Sequence, residues 1–330
     1  MPVYNAGRFL NEAIDSILQQ TLASFEFLII DDASTDNSVK IIQAYHDDRI
    51  HLIRKPVNTG YTDSLNMAVK LSRGKYIARM DADDVSMLDR FQQQFDYMET
   101  HPGVLVLGTA YKILDTGELI VLPPTFEALK VVAIMQVPVA HPTVFIRRQV
   151  FDDYCLWYNK ALEPAEDYDL WTRVLEMGRI ENLTQPLLHY RRHSQQQTLT
   201  RYHELIEGAV STRLGQLNKL VNFEGKSYDV LFAIKMLTMH PQVLSRPVMN
   251  NFLQLIHDME QANKTKKKYD RVLLNSYLRE RWQFYILQFN RPGRGDISML
   301  VKMQSSRITR MGVQFSIKYI LKCLRPHKTI

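Results

Sequence analysis

Residues 74–84 have the sequence GKYIARMDADD, and this stretch decides the fold prediction. The apolar segment at 76–80 is typical of a short buried strand, and it runs directly into the acidic tetrapeptide at 81–84. The same arrangement occurs upstream, where the apolar run FEFLII at 25–30 ends in two aspartates at 31–32. The sequence therefore predicts two strands that each end in a cluster of carboxylates.

Amphipathic helical patterns alternate with further strand patterns through the first half of the chain. Helices are predicted at 7–20, after Asp36, after Gly60 and at 86–100, and additional strands at 50–54 and 104–108. Strand–helix–strand units at this spacing favour a parallel sheet with helices on both faces. Because ligands bind beyond the carboxyl ends of such strands, we expect the two acidic clusters to meet at one edge of the sheet.

The middle of the chain is less regular, and strand patterns end near residue 200. A hairpin around 115–117, a strand at 144–146 and a helix at 166–177 are predicted before that point. The expected fold class is therefore α/β, with a mostly parallel sheet and flanking helices, followed by an α-helical region. The expected domains are residues 1–200 and a basic helical region at 201–330.

Composition excludes several classes of protein. The 330 residues are 45% apolar and 23% charged, which is ordinary for a globular protein. Cys155 and Cys323 are too few for a disulfide framework or a thiolate zinc site. The N-terminus lacks the pattern of a signal peptide, and the apolar runs stop short of the ~20 residues of a membrane span. These features predict a cytoplasmic protein.

The tetrapeptide at 81–84 is the strongest candidate for chemistry. Asp81 and Asp83 point the same way in an extended segment, so they can present two carboxylates to one ligand. Two hard oxygen ligands suit Mg²⁺ or Mn²⁺, which commonly completes its shell with substrate phosphates. The alternative is a helix cap, in which the negative charge of Asp84 stabilises the start of the following helix.

Two other acidic segments have two interpretations each. Asp32, at the end of a strand, can accept hydrogen bonds from a nucleobase or ribose, whereas a cap on the next helix, with Asp36 the better candidate, is the alternative. Asp167 lies at the acidic start of the helix at 166–177. A carboxylate there can be a general base for a hydroxyl, or it can simply stabilise the helix dipole.

The segment HYRRHS at 189–194 combines two histidines with two arginines. Near a diphosphate, such side chains can ligate a metal or neutralise a leaving group. A solvated loop is the alternative.

Several motifs occur in order along the first 195 residues. They are PVYN at 2–5, IIDDASTD at 29–36, NTG at 58–60, GKYIARMDADD at 74–84, HP at 141–142 and ED at 166–167. As an ordered set they resemble family 2 glycosyltransferases, which are inverting enzymes with a GT-A fold and a nucleotide-sugar donor.

The resemblance implies roles for the matching residues. The nucleotide-sugar site would contain Pro2, Tyr4, Asn5, Asp32, Asn58, Asp81 and Arg191. A Mn²⁺ or Mg²⁺ ion would bind Asp83 and Asp81, with His193 as a further ligand. Asp167 would be the catalytic base in a single displacement, and inversion would follow by analogy with inverting glycosidases.

One feature departs from the family pattern. Family members have an apolar strand before the Pro-x-Tyr-Asn element, whereas here Met1 directly precedes Pro2. Four or five buried side chains at about 1.5–3 kcal/mol each approach the whole stability of a domain. We therefore expect a few native residues upstream of Met1.

Charge divides the chain, whose formal net charge is +6. Residues 201–330 contain 22 Lys and Arg against 9 Asp and Glu, whereas residues 1–200 contain 19 against 26. At 313–325, apolar residues at helical spacing lie beside basic ones. This pattern is typical of membrane-surface helices, and packing of the apolar face on the protein is the alternative.

The predicted function is metal-assisted transfer of a sugar, with inversion, from a nucleoside-diphosphate-sugar to a hydroxyl of a glycan or lipid-linked glycan in cell-surface polysaccharide synthesis. A further expected partner is an anionic membrane surface, on the inner face of the membrane, and nucleic acid is not expected. A sugar nucleotidyltransferase is one alternative, although residues 2–8 lack the Gly-rich basic loop that it needs. A catalytically inactive, membrane-associated scaffold or binding subunit is the other.

Overall fold

The computed structural model describes residues 1–239 and 244–289. They form two compact units, one of residues 1–133 and 137–212, the other of residues 134–136 and those from 213 onward. Within the described ranges, the helices are too short or too polar to cross a lipid bilayer. The basic helix predicted at 313–325 lies outside the described residues, and the functional division at residue 200 stays a prediction.

The first unit begins with a three-stranded parallel sheet. Its strands lie in the order β1 (Pro2–Val3), β2 (Phe27–Asp31) and β3 (Ile50–Arg54), connected by α1 (Leu10–Leu18) and α2 (Ser38–Gln43). The apolar faces of β2 and α1 share one core, in which Ile14 and Ile29 are fully buried. Met80 and Ala82 pack in the same core, so the segment around Asp81 lies beside the first sheet.

A second, mixed sheet completes this unit. Its strands are β4 (Tyr76–Ala78), β5 (Val85–Ser86), β6 (Val104–Ile113), β7 (Leu119–Ile120), β8 (Phe145–Arg147) and β9 (Arg179–Tyr190). They lie in the order β4-β8-β6-β9-β5, and β7 pairs with β6. The parallel arrangement extends here to β6 and β9, whereas the other pairs of this sheet are antiparallel.

Helices flank both sheets. They are α3 (Tyr61–Leu71), α4 (Arg90–Thr100), α5 (Phe126–Val132), α6 (Gln149–Asp152), α7 (Glu166–Met177), α8 (Gln197–Thr200) and the start of α9 (Tyr202–Leu220). The predicted α/β fold is confirmed. The helix predicted at 86–100 begins only at Arg90, because β5 occupies residues 85–86.

The second unit is helical. Its described helices beyond α9 are α10 (Val230–Leu237), α11 (Arg246–Lys266) and α12 (Arg271–Phe289). Phe252 of α11 lies 5.8 Å from the ring of Trp282 and 5.6 Å from that of Tyr285, both on α12. These buried aromatic contacts hold the two long helices together. A helical region after the α/β part is therefore confirmed.

Candidate active site

The tetrapeptide at 81–84 does not cap a helix. The next helix, α4, begins at Arg90, and β5 intervenes. The capping interpretation of Asp84 is therefore wrong. The segment is instead held between Arg79 on one side and the residues after β9 on the other.

The carboxylates of Asp81, Asp83 and Asp84 form a compact cluster. One oxygen from each lies within 4.8 Å of the others. Asp84 is 1% exposed, and its Oδ2 atom has no hydrogen-bond partner among the described residues. Burial, together with the charges of the other two aspartates, raises the pKa of Asp84 well above its usual range. Three hard oxygen donors, one of them buried and unpartnered, fit a divalent cation such as Mg²⁺ or Mn²⁺.

The residues after β9 pack against this cluster. The backbone N–H of Arg191 donates to Asp84 Oδ1 at 2.9 Å, and its Nε donates to the carbonyl oxygen of Asp83 at 2.8 Å. His193 Nε2 lies 2.8 Å from Asp83 Oδ2. Arg192 is more than half exposed, so the solvated-loop interpretation holds for that residue but not for its two neighbours. The structure thus brings both Arg191 and His193 to the acidic cluster.

Asp32 is buried and fixes a loop. It is 2% exposed, and its two oxygens accept hydrogen bonds from the backbone N–H groups of Thr59 and Gly60, each at 3.0 Å. Lys55 Nζ lies 2.6 Å from Asp32 Oδ1. Lys55 is not among the predicted site residues, although it directly follows β3 and therefore lies at the carboxyl end of a parallel strand.

Several other predicted nucleotide-site residues lie near this strand end. Asn5 Oδ1 accepts a hydrogen bond from the backbone N–H of Thr35 at 2.8 Å and so supports the loop after β2. Asp36 accepts from the N–H of Ser38 at 2.9 Å, but the N-cap residue of α2 is Asn37, so Asp36 lies one residue before the predicted capping position. Tyr4 is 52% exposed directly after β1, where an aromatic ring is free to meet a ligand.

The remaining two predicted residues, Pro2 and Asn58, help to build the strand and the loop around the site. Pro2 lies in β1, opposite Ile30 of β2. Asn58 Oδ1 accepts a hydrogen bond from the N–H of Gly60 at 3.2 Å and so helps to shape the loop before α3.

Asp167 lies in the first turn of α7. Its Oδ1 accepts a hydrogen bond from the N–H of Tyr168 at 2.6 Å. Burial raises the pKa of Asp167 to about 6, and the charge of Asp81 adds to that rise, whereas Arg79 opposes it. Asp167 therefore lies within the electrostatic reach of the acidic cluster.

Arg79 is the cation at the centre of these acids. Its side chain is 7% exposed, and Nη1 lies 2.5 Å from Asp81 Oδ2. Arg79 is not among the predicted site residues. The signal was its place in the stretch at 74–84, where it separates the strand from the acidic tetrapeptide.

Glu166 precedes the candidate base and is fully buried. Its Oε1 accepts a hydrogen bond from the Tyr61 hydroxyl and lies 4.0 Å from His141 Nδ1. Burial, reinforced by the charge of Asp167, raises the pKa of Glu166 well above its usual range. Burial also lowers the pKa of His141 well below its usual range. Burial therefore disfavours the charged form of both side chains.

Comparison with known proteins decides the family. A family model described as "Glycosyl transferase family 2" matches residues 1–155. The putative glycosyltransferase EpsE of Bacillus subtilis is 34% identical over 204 residues, which cover 59% of this chain and 72% of that protein. The O-antigen biosynthesis glycosyltransferase WbnJ of Escherichia coli is 32% identical over 218 residues, or 62% of this chain and 83% of that protein.

The chain belongs to glycosyl transferase family 2. The resemblance carried by the ordered motifs is thereby confirmed, and the protein is a glycosyltransferase.

Solved structures agree on the fold of this family 2 glycosyltransferase. S. aureus TarS in complex with UDP-GlcNAc has a TM-score of 0.59 at 16% identity, over 87% of this chain and 85% of that one. The mannosyltransferase PcManGT from Pyrobaculum calidifontis, in complex with GDP-Man and Mn²⁺, has a TM-score of 0.51 at 14% identity, over 98% of this chain and 85% of that one. These similarities confirm the GT-A-like fold.

Proposed function

We propose that this glycosyltransferase moves a sugar from a nucleoside-diphosphate-sugar to a hydroxyl of a glycan or lipid-linked glycan, with inversion and with help from a divalent metal ion. The observation that carries the proposal is the position of Asp167. Its half-buried carboxylate has a pKa that burial raises to about 6, and the charges of Arg79 and of Asp81, a member of the carboxylate cluster, act on that pKa. A base and an acidic metal-type site therefore belong to one active site.

The acidic cluster forms the part of the active site that faces the donor diphosphate. Asp81, Asp83 and Asp84 would hold the cation, with His193 next to Asp83. When bound, the ion would neutralise charge on the departing nucleoside diphosphate. On the nucleoside side, Asp32 holds the loop at 58–60, and exposed Tyr4 offers a ring on which a base can stack.

Asp167 acts on the acceptor. Its carboxylate takes the proton of the acceptor hydroxyl as that oxygen attacks the anomeric carbon. The bond to the nucleoside diphosphate breaks on the opposite face of the sugar, so the configuration at that carbon inverts. Glu166 is fully buried and accepts the hydrogen bond of the Tyr61 hydroxyl, so the half-buried Asp167 is the carboxylate of this pair that is left for the role.

Known relatives support the substrate classes. The complexes of TarS with UDP-GlcNAc and of PcManGT with GDP-Man and Mn²⁺ favour a nucleotide-sugar donor with Mn²⁺ or Mg²⁺. The name of WbnJ, an O-antigen biosynthesis enzyme, favours cell-surface polysaccharide synthesis.

A panel of UDP-, GDP- and dTDP-sugars with Mn²⁺ or Mg²⁺ tests this function. We expect metal-dependent release of the nucleoside diphosphate from at least one donor. A flat response over the whole panel would favour the inactive scaffold, and release of inorganic pyrophosphate from a nucleoside triphosphate with a sugar phosphate would favour the nucleotidyltransferase.

The pH dependence of turnover follows from the state of Asp167. The base works only when it is deprotonated, and burial raises its pKa to about 6. We therefore expect kcat to rise about tenfold per pH unit below that value and to level off above it. Steady-state rates between pH 4.5 and 8 measure this rise of kcat with pH. A rise centred near the ordinary value for Asp would contradict the role of the buried carboxyl.

We further propose that the basic C-terminal sequence attaches the enzyme to an anionic membrane surface, where a lipid-linked acceptor is available. The support is the sequence pattern at 313–325 and the 22 Lys and Arg beyond residue 200. Co-sedimentation with vesicles measures this binding. We expect binding to vesicles with anionic lipid that weakens with salt, and equal binding to neutral vesicles would contradict it.

A further inference from the structure

We propose that Glu163 and Glu166 are positioning residues that tie the donor-side loop at 58–60 to the base Asp167. The inference rests on the proposed function, because it assigns these two acids to the geometry of the same active site. It concerns two segments of the first unit, the N-terminal turns of α3 and the chain that leads into α7.

Glu163 connects to the first turn of α3. Its Oε2 accepts a hydrogen bond from the backbone N–H of Thr62 at 3.1 Å. That N–H belongs to the start of the helix, where backbone donors lack partners within the helix and the dipole favours negative charge. Gly60, the N-cap residue of α3, has no side chain to offer, so the carboxylate comes from a residue about 100 positions later in the chain.

The approach of Glu163 depends on the glycine. Gly60 has φ of +95°, and a Cβ atom at this position would lie 3.0 Å from Glu163 Oε2. The other carboxylate oxygen of Glu163 lies 2.5 Å from Arg201 Nη1. The carboxylate is therefore held from both sides, with its free rotation removed.

Contacts on both sides of the Glu163–Thr62 hydrogen bond also join the start of α3 to the chain that leads into α7. Asn66 exchanges two hydrogen bonds with the backbone of Tyr158, at 2.9 Å and 3.2 Å. At the other end, the Tyr61 hydroxyl donates to Glu166. The contacts pair residues 66, 62 and 61 of α3 with residues 158, 163 and 166. Residues 158–166 therefore run antiparallel to the start of α3 and lead directly to Asp167.

The same turn of α3 is held from the nucleoside side. Asp32 accepts hydrogen bonds from the N–H groups of Thr59 and Gly60. Lys55 lies 2.6 Å from Asp32 and 3.2 Å from Asp63. The turn at 59–63 thus has Asp32 and Lys55 on one side and the two glutamates on the other.

These contacts couple the position of the donor-side loop at 58–60 to the position of Asp167. A displacement of the loop is transmitted through Thr62 and Tyr61 to the residues that carry Asp167. Misplacement of a reacting group by about 1 Å can cost about 10²-fold in rate. Release of the pairing is therefore expected to act on kcat and only weakly on donor affinity.

The test compares variants of Glu163 in the full-length enzyme. Glu163→Ala removes the acceptor for the Thr62 N–H, whereas Glu163→Gln keeps an oxygen in its place. We expect kcat to fall at least about tenfold in Glu163→Ala and to stay within about threefold of the wild type in Glu163→Gln. The Kd of the nucleoside diphosphate released by the wild type, measured by calorimetry, is expected to change less than about threefold in both variants.

Glu204→Ala is the matched control. Glu204 also contacts Arg201, but its side chain is 54% exposed, and within the described part of the chain its hydrogen bonds and ion pairs go to Arg201 and not to α3. We expect kcat within about twofold of the wild type. If Glu163→Ala does not fold, Tyr61→Phe removes the hydrogen bond to Glu166 and keeps the ring, and the same fall in kcat is expected.

Three outcomes would overturn the inference. They are a lower melting temperature with unchanged kcat, a loss of donor affinity with unchanged kcat, and an equal fall in kcat in Glu204→Ala. A wild-type enzyme that releases no nucleoside diphosphate from any donor would instead reject the proposed function itself. The two failures are therefore distinguishable.

Discussion

Replacement of Asp167 by Asn is expected to lower kcat by about 10²–10⁴-fold, the range that a general base contributes. The amide cannot take the proton of the acceptor hydroxyl. Its oxygen can still accept the hydrogen bond from the N–H of Tyr168, so the start of α7 is expected to keep its shape. Donor affinity should therefore change less than about threefold, which calorimetry with the nucleoside diphosphate measures.

Asp169→Asn serves as the control for this substitution. Asp169 lies on the same helix and pairs with Arg173 at 2.7 Å rather than with the acidic cluster. We expect its kcat within about threefold of the wild type. Loss of donor binding together with turnover in Asp167→Asn would show that Asp167 holds the donor, and would contradict its role as the base.

Replacement of Asp83 by Asn is expected to abolish the response to a divalent cation. The substitution removes one of the three carboxylates of the cluster and weakens the contact with His193. A ligand that binds only the folded state raises the melting temperature. We therefore expect Mn²⁺ to stabilise the wild type and not the variant, and turnover to fall by at least about 10²-fold.

An exposed aspartate provides the comparison for the metal experiment. Asp96 on α4 is exposed, and its side chain accepts only from Gln92 among the hydrogen bonds of the described chain. Asp96→Asn should keep the full Mn²⁺ response. An undiminished Mn²⁺ shift in Asp83→Asn would show that the ion binds elsewhere.

Elements with strong local patterns could be predicted from the sequence. The strand at 50–54 and the helix at 166–177 have the predicted bounds in the structure, because apolar periodicity and a terminal glycine define them locally. The strand β9 was missed. Its sequence RIENLTQPLLHY lacks a regular alternation and contains Pro186, and its pairing with β6 includes register shifts. Long-range pairing, not local preference, makes it a strand.

The candidate site shows the same division. Residues in acidic strand ends, such as Asp32 and Asp83, could be identified because chemistry gathers at the carboxyl ends of strands. The same rule applies to Lys55, which directly follows a strand, but it does not reach Glu163, whose role depends on which distant backbone group it meets. Glu163 lies about 100 residues from Thr62, and sequence spacing carries no information about that contact.

The sharpest test of the account follows release of nucleoside diphosphate by the wild type, Asp83→Asn and Asp167→Asn, side by side, with the best donor of the panel and Mn²⁺. We expect rapid release by the wild type that stops with a chelator. We expect Asp83→Asn to lose both turnover and the Mn²⁺ response, and Asp167→Asn to lose turnover alone. Wild-type rates in either variant would contradict a single active site built from the carboxylate cluster and Asp167.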